Sequence, residues 1–291
     1  QFLPDPTLPA DIANLALFLA AGAPFVFPIR LPLYIWRETR YIFDRIEATP
    51  PGKVVAISSE WIAGSQGENW PQYEAIVSHV MLKGVKLLVF AHEADALAPQ
   101  MAEDINQRQA RLYGRKYGVD WVHMGLSRGG PLVMGEIGRN LKSVYPKDFY
   151  GPPATDYAKL PILKGVSDVS AFQIFISITY QPSNDWLVWL DPSGNTPIAF
   201  GSAGIVTTGY YPYIASGQMK GMLAGVRGAA EYEALVKEKY GDAYKTSWRN
   251  SAGQLEELRG GKLLVPLAFG HLIIIFFIVA GNVGMWAARR R

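Results

Sequence analysis

Cysteine is absent from this sequence. Disulfides, thiolate metal sites and cysteine nucleophiles are thereby excluded, although the redox compartment stays open. Histidine is scarce. His79, His92, His123 and His271 lie far apart, and the one acidic neighbourhood, His92-Glu93 with Asp95, has a spacing common by chance, so no metal is expected. Surplus charge is also missing. The formal net charge is +3, and the Lys and Arg residues are scattered without an aromatic RNA-binding motif, so no nucleic-acid partner is expected. No Walker P-loop is present, because Gly260-Gly261-Lys262 lacks the spacing and the hydroxyl residue. No G-x-G-x-x-G follows the first expected strand, so the dinucleotide fingerprint is absent and no cofactor is expected. Tandem repeats and low-complexity runs are lacking as well.

The most consequential absence is local. Residues 263–288 read LLVPLAFGHLIIIFFIVAGNVGMWAA and hold no Asp, Glu, Lys or Arg before the closing Arg289-Arg290-Arg291. A helix of that length rises roughly 39 Å, enough to cross a hydrocarbon core of about 30 Å. A second uncharged stretch, Ile12 to Ile29, predicts a first transmembrane helix within 12–36. Asp11 is placed to cap it, and Pro24 and Pro28 to kink it. Tyr34, Trp36 and Tyr41 suit the headgroup region. The arginines at 30, 37, 40 and 45 all follow this stretch and none precedes it. The positive-inside rule therefore puts the middle of the chain in the cytoplasm and Gln1 outside a two-pass cell-membrane protein. The arginines at the chain's end vote the other way. A start at Gln1 and not Met points to processing or to a longer parent.

Between the apolar stretches the pattern changes. Short β-branched runs (54–58, 85–91, 119–124, 171–179, 197–201) alternate with helical segments (70–82, 94–117, 131–144, 184–190, 217–239). Alternation of this kind predicts a mostly parallel sheet covered on both faces. The expected organisation is an extended segment over 1–11, a transmembrane helix in 12–36, a Rossmann-like three-layer α/β domain over 50–242, a linker over 243–262 and a second transmembrane helix over 263–288.

In such a sheet, ligands bind where the strands' carboxyl ends share an edge. Ser58 and Glu60 fall after the first strand, His92 after the second, and Ser127, Arg128 and Gly129 after the third; these are the candidate ligand-binding residues. Gly125-Leu126-Ser127-Arg128-Gly129 matches G-x-S-x-G between a predicted strand and a predicted helix. Over about twenty residues it resembles the serine-bearing turn of α/β-hydrolases. That resemblance implies an acid and then a histidine following the serine in the chain. Here only His271 follows, inside the apolar stretch, and His92 precedes the serine, so no catalytic residue is assigned. Two milder readings remain: amides of 127–130 facing an anion at a helix N-terminus beside Arg128, or a tight turn needing small residues. Gly217, Gly221 and Gly225 recur every four residues and predict a smooth ridge on the 217–239 helix, a candidate subunit interface.

Three functions follow. The favoured one is a non-catalytic membrane protein whose α/β domain assembles as a homo-oligomer or with a membrane complex, with the lipid bilayer as a further partner. The alternatives are a small-molecule or anion sensor and a membrane-anchored serine hydrolase.

Overall fold

The computed structural model describes residues 8–26, 32–151, 159–181, 184–245 and 259–289. The start of the expected extended segment, Pro28 and most of the expected linker lie outside the described residues. The described chain divides into two units, residues 34–260 and the two ends, 1–33 with 261–291.

In chain order the helices are α1 (Leu8–Val26), α2 (Arg37–Glu47), α3 (Gln66–Lys83), α4 (Ala98–Tyr113), α5 (Gly130–Arg139), α6 (Leu141–Val144), α7 (Asp185–Trp189), α8 (Gly204–Thr207), α9 (Tyr211–Ala215), α10 (Gly225–Tyr240) and α11 (Arg259–Arg289). The strands are β1 (Val54–Glu60), β2 (Lys86–His92), β3 (Trp121–Ser127), β4 (Phe172–Thr179), β5 (Ile198–Ser202) and β6 (Gly221–Ala224). They form one all-parallel sheet in the order β3-β2-β1-β4-β5-β6, the doubly wound order of the Rossmann-like class, with its switch point between β1 and β4.

Every strand is buried on both faces, as a parallel sheet requires. On one face Val55, Ile57, Leu87, Val89, Ile174, Ile176 and Ile178 meet α2, α3, α4 and α10. On the other, Val54, Ala56, Leu88, Phe90, Val122, Met124 and Phe175 meet α5, α6 and α7. The expected three-layer α/β domain is therefore present. It reaches further toward the N-terminus than position 50, because α2 turns Ile42, Phe43 and Ile46 into the core. Tyr41 sits on this helix, partly buried and packed against that core. Glu47, at the end of α2, accepts from His79 Nε2 (2.7 Å), Tyr240 OH (2.6 Å) and Lys83 Nζ (3.3 Å), tying α2 to α3 and α10. Burial opposes its charge, but the bonds from His79, Lys239 and Tyr240 win and hold its carboxyl well below the usual range.

One helix expected from the sequence divides. Gly217 lies in a turn at φ +78°. Gly221 opens β6, and α10 starts only at Gly225. Gly217, Gly221 and Gly225 therefore share no helix face, and the expected ridge does not form. Met222 and Leu223 face opposite cores, which is strand geometry. Gly221 has its own cause: a Cβ there would meet Ile42 Cγ1 at 2.7 Å and Ala199 Cβ at 2.8 Å, so α2 can cross β6 only over a glycine.

In the other unit, α11 is long and apolar enough to cross a membrane. Within Arg259–Trp286 an 18-residue window has a mean hydropathy of 2.7 and is 6% buried, which is unlike a core helix. Two of its polar side chains bond within the helix: His271 Nδ1 donates to the Leu267 carbonyl (2.8 Å) and Asn282 Nδ2 to that of Ile278 (2.7 Å). This is how polar side chains are accommodated at membrane depth. The apolar part of α1 is shorter, Ile12–Pro24. α1 begins at Leu8, so Asp11 falls inside the helix and not at its first position.

Candidate functional site

On the α5–α7 face, each strand changes character along its length. Val54 and Ala56 give way to Ser58 and Glu60 on β1, and Leu88 and Phe90 to His92 on β2. Phe175 gives way to Ser177 and Thr179 on β4, and Ile198 and Phe200 to Ser202 on β5. Polar groups thus collect at the strand-carboxyl edge, on one face, across the switch point where this fold class binds ligands.

Ser127 joins them through a bulge. Val89 pairs with His123 but Ala91 with Leu126, so β3 carries one residue more than β2 here, with Gly125 inside the extra step at φ +85°. A single inserted residue reverses the alternation of side chains. It places Ser127 opposite His92 and on the same face. His92 Nδ1 lies 2.9 Å from Ser127 Oγ, and His92 Nε2 lies 3.1 Å from the Gly130 carbonyl. A carbonyl only accepts, so Nε2 carries the proton and Nδ1 accepts from the serine hydroxyl. Burial lowers the imidazole's pKa and keeps it neutral. Tyr145 OH completes the group, 2.7 Å from Ser127 Oγ and 2.8 Å from the Ala91 carbonyl; with the serine proton donated to His92, the single tyrosine proton is shared between these two acceptors. The expectation from chain order, that the serine lacks a histidine acceptor because only His271 follows it, is corrected: the partner is His92, on the preceding strand, through pairing that chain order does not reveal.

The pair departs from a nucleophile elbow in other respects. The elbow holds its nucleophile in a strained turn, but Ser127 is the last residue of β3. Among the described non-glycine residues, positive φ occurs at Glu93 (φ 48°). The strain there aims a carboxylate: Glu93 Oε1 accepts from the amides of Gly129 (2.6 Å) and Gly130 (2.9 Å), at the start of α5. The anion expected at this helix N-terminus is supplied by the chain itself. Arg128 stands beside it, 3.9 Å from Glu93 Oε2, and donates to the Ala94 carbonyl (3.2 Å). Gly129, at φ +127°, allows the turn; a Cβ there would meet Val133 Cγ2 at 2.4 Å. The glycines of the motif thus have structural work, one in the bulge and one in the turn.

Glu60 lies at the switch point. Its carboxylate accepts from Ser58 Oγ, from Trp186 Nε1 (2.8 Å) and from Ser177 Oγ (3.2 Å). Burial raises its pKa to about 7 even against these three donors. Trp186, on α7, is fully buried and bridges the two groups. Its indole N–H goes to Glu60, and its ring meets His92 edge to face at 5.6 Å and packs on Phe175 at 4.7 Å. The short helix therefore covers the edge. On the other face, α3 fills the crevice. Gln72 Nε2 reaches the carbonyls of Ser202 (3.0 Å) and Gly225 (2.8 Å), and Asn69 Nδ2 that of Thr179 (3.2 Å).

Ser58, Glu60, His92 and Ser127 thus come together, while Arg128 and Gly129 belong to the adjoining turn. Trp186, Tyr145 and Ser177 complete the cluster and were not identified from the sequence. The run DWLVWL marked a short apolar helix, but only its position after β4 shows which tryptophan reaches Glu60. An open cleft of about 450 Å³ adjoins the cluster at Met124, Leu126 and Tyr145, with Lys147 and Asp148 on its wall. Among the described residues no group of three or more His, Asp or Glu side chains could hold a metal ion. The chain matches no protein-family model, no curated protein and no solved structure.

Two outcomes test this geometry. Gly125→Ala leaves ordinary space for the new methyl but forces a positive φ, and should cost about 1 kcal/mol, read as a lowered thermal midpoint. Glu60 holds its proton more tightly when folded than the ordinary value of 4.5 allows. Its contribution is therefore complete below about pH 4.5 and is lost as the pH rises through about 7, with up to about 3 kcal/mol at stake. Glu60→Gln should flatten this loss in thermal unfolding followed from pH 4.5 to 8.

Proposed function

We propose that this chain is a membrane-anchored, non-catalytic α/β protein that works by assembling, either with copies of itself or within a larger membrane complex. The observation that carries this reading is the state of the strand-carboxyl edge. There the donors and acceptors that could act on a substrate are engaged with one another, and Trp186 covers them. Such an edge supports a scaffold better than an open reaction site. The length and exposure of α11 support anchoring. In this proposal α1 is a second span, Gln1 lies outside and the α/β domain is cytoplasmic, on the strength of the arginines that follow the first apolar stretch.

A second reading has one observation in its favour. A carboxyl group with a pKa of about 7 sits at the switch point beneath a helix of five residues. A sensor for a small polar ligand could use such a group, with α7 moving aside on binding. The hydrolase is less well supported, because Ser127 is 9% exposed and the nearby amides of Gly129 and Gly130 are capped by Glu93.

Native mass measurement of the full chain in mild detergent should give particles with more than one copy or with a co-purifying membrane subunit; a strict monomer contradicts the assembly reading. A fluorophosphonate probe should leave Ser127 unlabelled. Labelling that disappears in Ser127→Ala would reinstate the hydrolase.

A further inference from the structure

The α/β unit presents its strand-carboxyl edge to the outside in an unusual way. Four segments leaving successive strand ends each expose a large aliphatic side chain: Leu97 after β2, Leu132 after β3, Val188 after β4 and Ile205 after β5. Leu132 is 73% exposed and Ile205 84%. Among the described residues of this unit, Val119 is the one further large aliphatic side chain so exposed, and it lies before β3 at the opposite edge. The segment bearing Ile205 contains no charged residue from Gly204 to Met219, and it also exposes Tyr211.

Both ends of the unit emerge at this same edge, on α10, whose first residue follows the carboxyl end of β6. Arg227 Cζ stands 4.6 Å over the Trp36 ring, and Arg227 Nη2 reaches the Tyr34 carbonyl at 3.5 Å. Gly260 donates its amide to Glu233 Oε2 at 2.8 Å, and a Cβ on it would meet Ala230 N at 2.6 Å. Residues 227–233 span about two helical turns, roughly 9 Å. The Ile205 segment joins them, since a Cβ at Gly225 would meet Gly204 Cα at 3.4 Å. The exposed Tyr34 and the half-buried Trp36 provide aromatic groups suited to lipid headgroups, and the guanidinium groups of Arg37 and Arg227 beside them are paired with Glu38 and Glu231.

We propose that the strand-carboxyl edge is a lipid-docking surface, with Ile205 and Leu132 entering the interfacial region of the bilayer. The proposal rests on the membrane anchoring proposed above. The occupant is lipid and not a second protein because both ends of the unit, Tyr34 and Gly260, lie on α10 near this edge, and in the sequence each is joined to an apolar stretch. A bilayer lying there shields the exposed aliphatic groups at little entropic cost, since the anchor already holds the unit at the surface.

The chain has no cysteine, so single-cysteine reporters can be introduced without removing any native residue. Full-length Ile205→Cys, Leu132→Cys, Asn195→Cys and Phe276→Cys, each carrying a nitroxide, are placed in nanodiscs of phosphatidylcholine and phosphatidylglycerol. Accessibility is measured to oxygen, which concentrates in lipid, and to a water-soluble nickel chelate. Asn195 lies before β5, at the opposite edge, and is exposed. Labels at 205 and 132 should show an oxygen-to-nickel ratio several-fold above that at 195. If they match 195 while the label at 276 is lipid-like, anchoring stands and docking is overturned. If the label at 276 is water-exposed, anchoring falls and docking falls with it. If labels at 205 and 132 are shielded from both reagents, a protein covers the edge and the lipid assignment is overturned.

Discussion

A parallel sheet sealed on both faces leaves the polar groups at its carboxyl edge with few places to turn except to one another. Water is largely excluded, and an unpaired buried carboxylate or imidazole would cost several kcal/mol. Much of the local architecture follows from meeting that constraint. Glu60 draws donors from three directions: its own strand, β4 and α7. His92 has one ring nitrogen on Ser127 and the other on the Gly130 carbonyl. Trp186 links the two groups because an indole carries one donor and two large apolar faces: the donor satisfies the carboxylate, and the ring excludes solvent from His92 and Phe175.

The same logic explains the strain at Glu93. A left-handed backbone is unfavourable for glutamate, yet this conformation brings one carboxylate oxygen within reach of two amides that begin α5. Those amides would otherwise lack partners, as helix N-termini do. The carboxylate also meets the positive end of the helix dipole, and these bonds hold its pKa low. Any external anion at this helix end must compete with a tethered one, so weak anionic ligands are at a disadvantage here.

The fold class was legible because its signal is repeated: five apolar runs at strand length, each followed by a helical period, admit few architectures other than a wound sheet. The residues of the edge were legible for the same reason, since strand ends can be located once strands are. Three features were not. β6 is four residues long, and its glycine spacing imitates a helical ridge, so GMLA was absorbed into α10. α2 is amphipathic, but its RETRYIFDRIE sequence follows an apolar stretch and reads as a charged flank. The Ser127–His92 contact depends on strand order and on a bulge, and neither leaves a periodic trace. Gly125 was visible in the sequence only as part of a motif, and its function is to shift register.

That shift bears on how the G-x-S-x-G sequence is to be understood. In an elbow, the glycines permit a sharp turn that lifts the serine out of the sheet. Here Gly125 acts two residues earlier and keeps Ser127 in the sheet, paired with His92 across a ladder. β3 is also an edge strand, two positions from β1, which carries Glu60 at the switch point. The imidazole's second nitrogen rests on a neutral carbonyl, which orients the ring but stabilises an imidazolium less than a carboxylate does. The hydroxyl is further engaged with Tyr145. Each departure weakens the case for a nucleophile by a different physical route: conformation, position, charge and access. The same four features describe a polar clasp between neighbouring strands, which closes the edge beside the bulge.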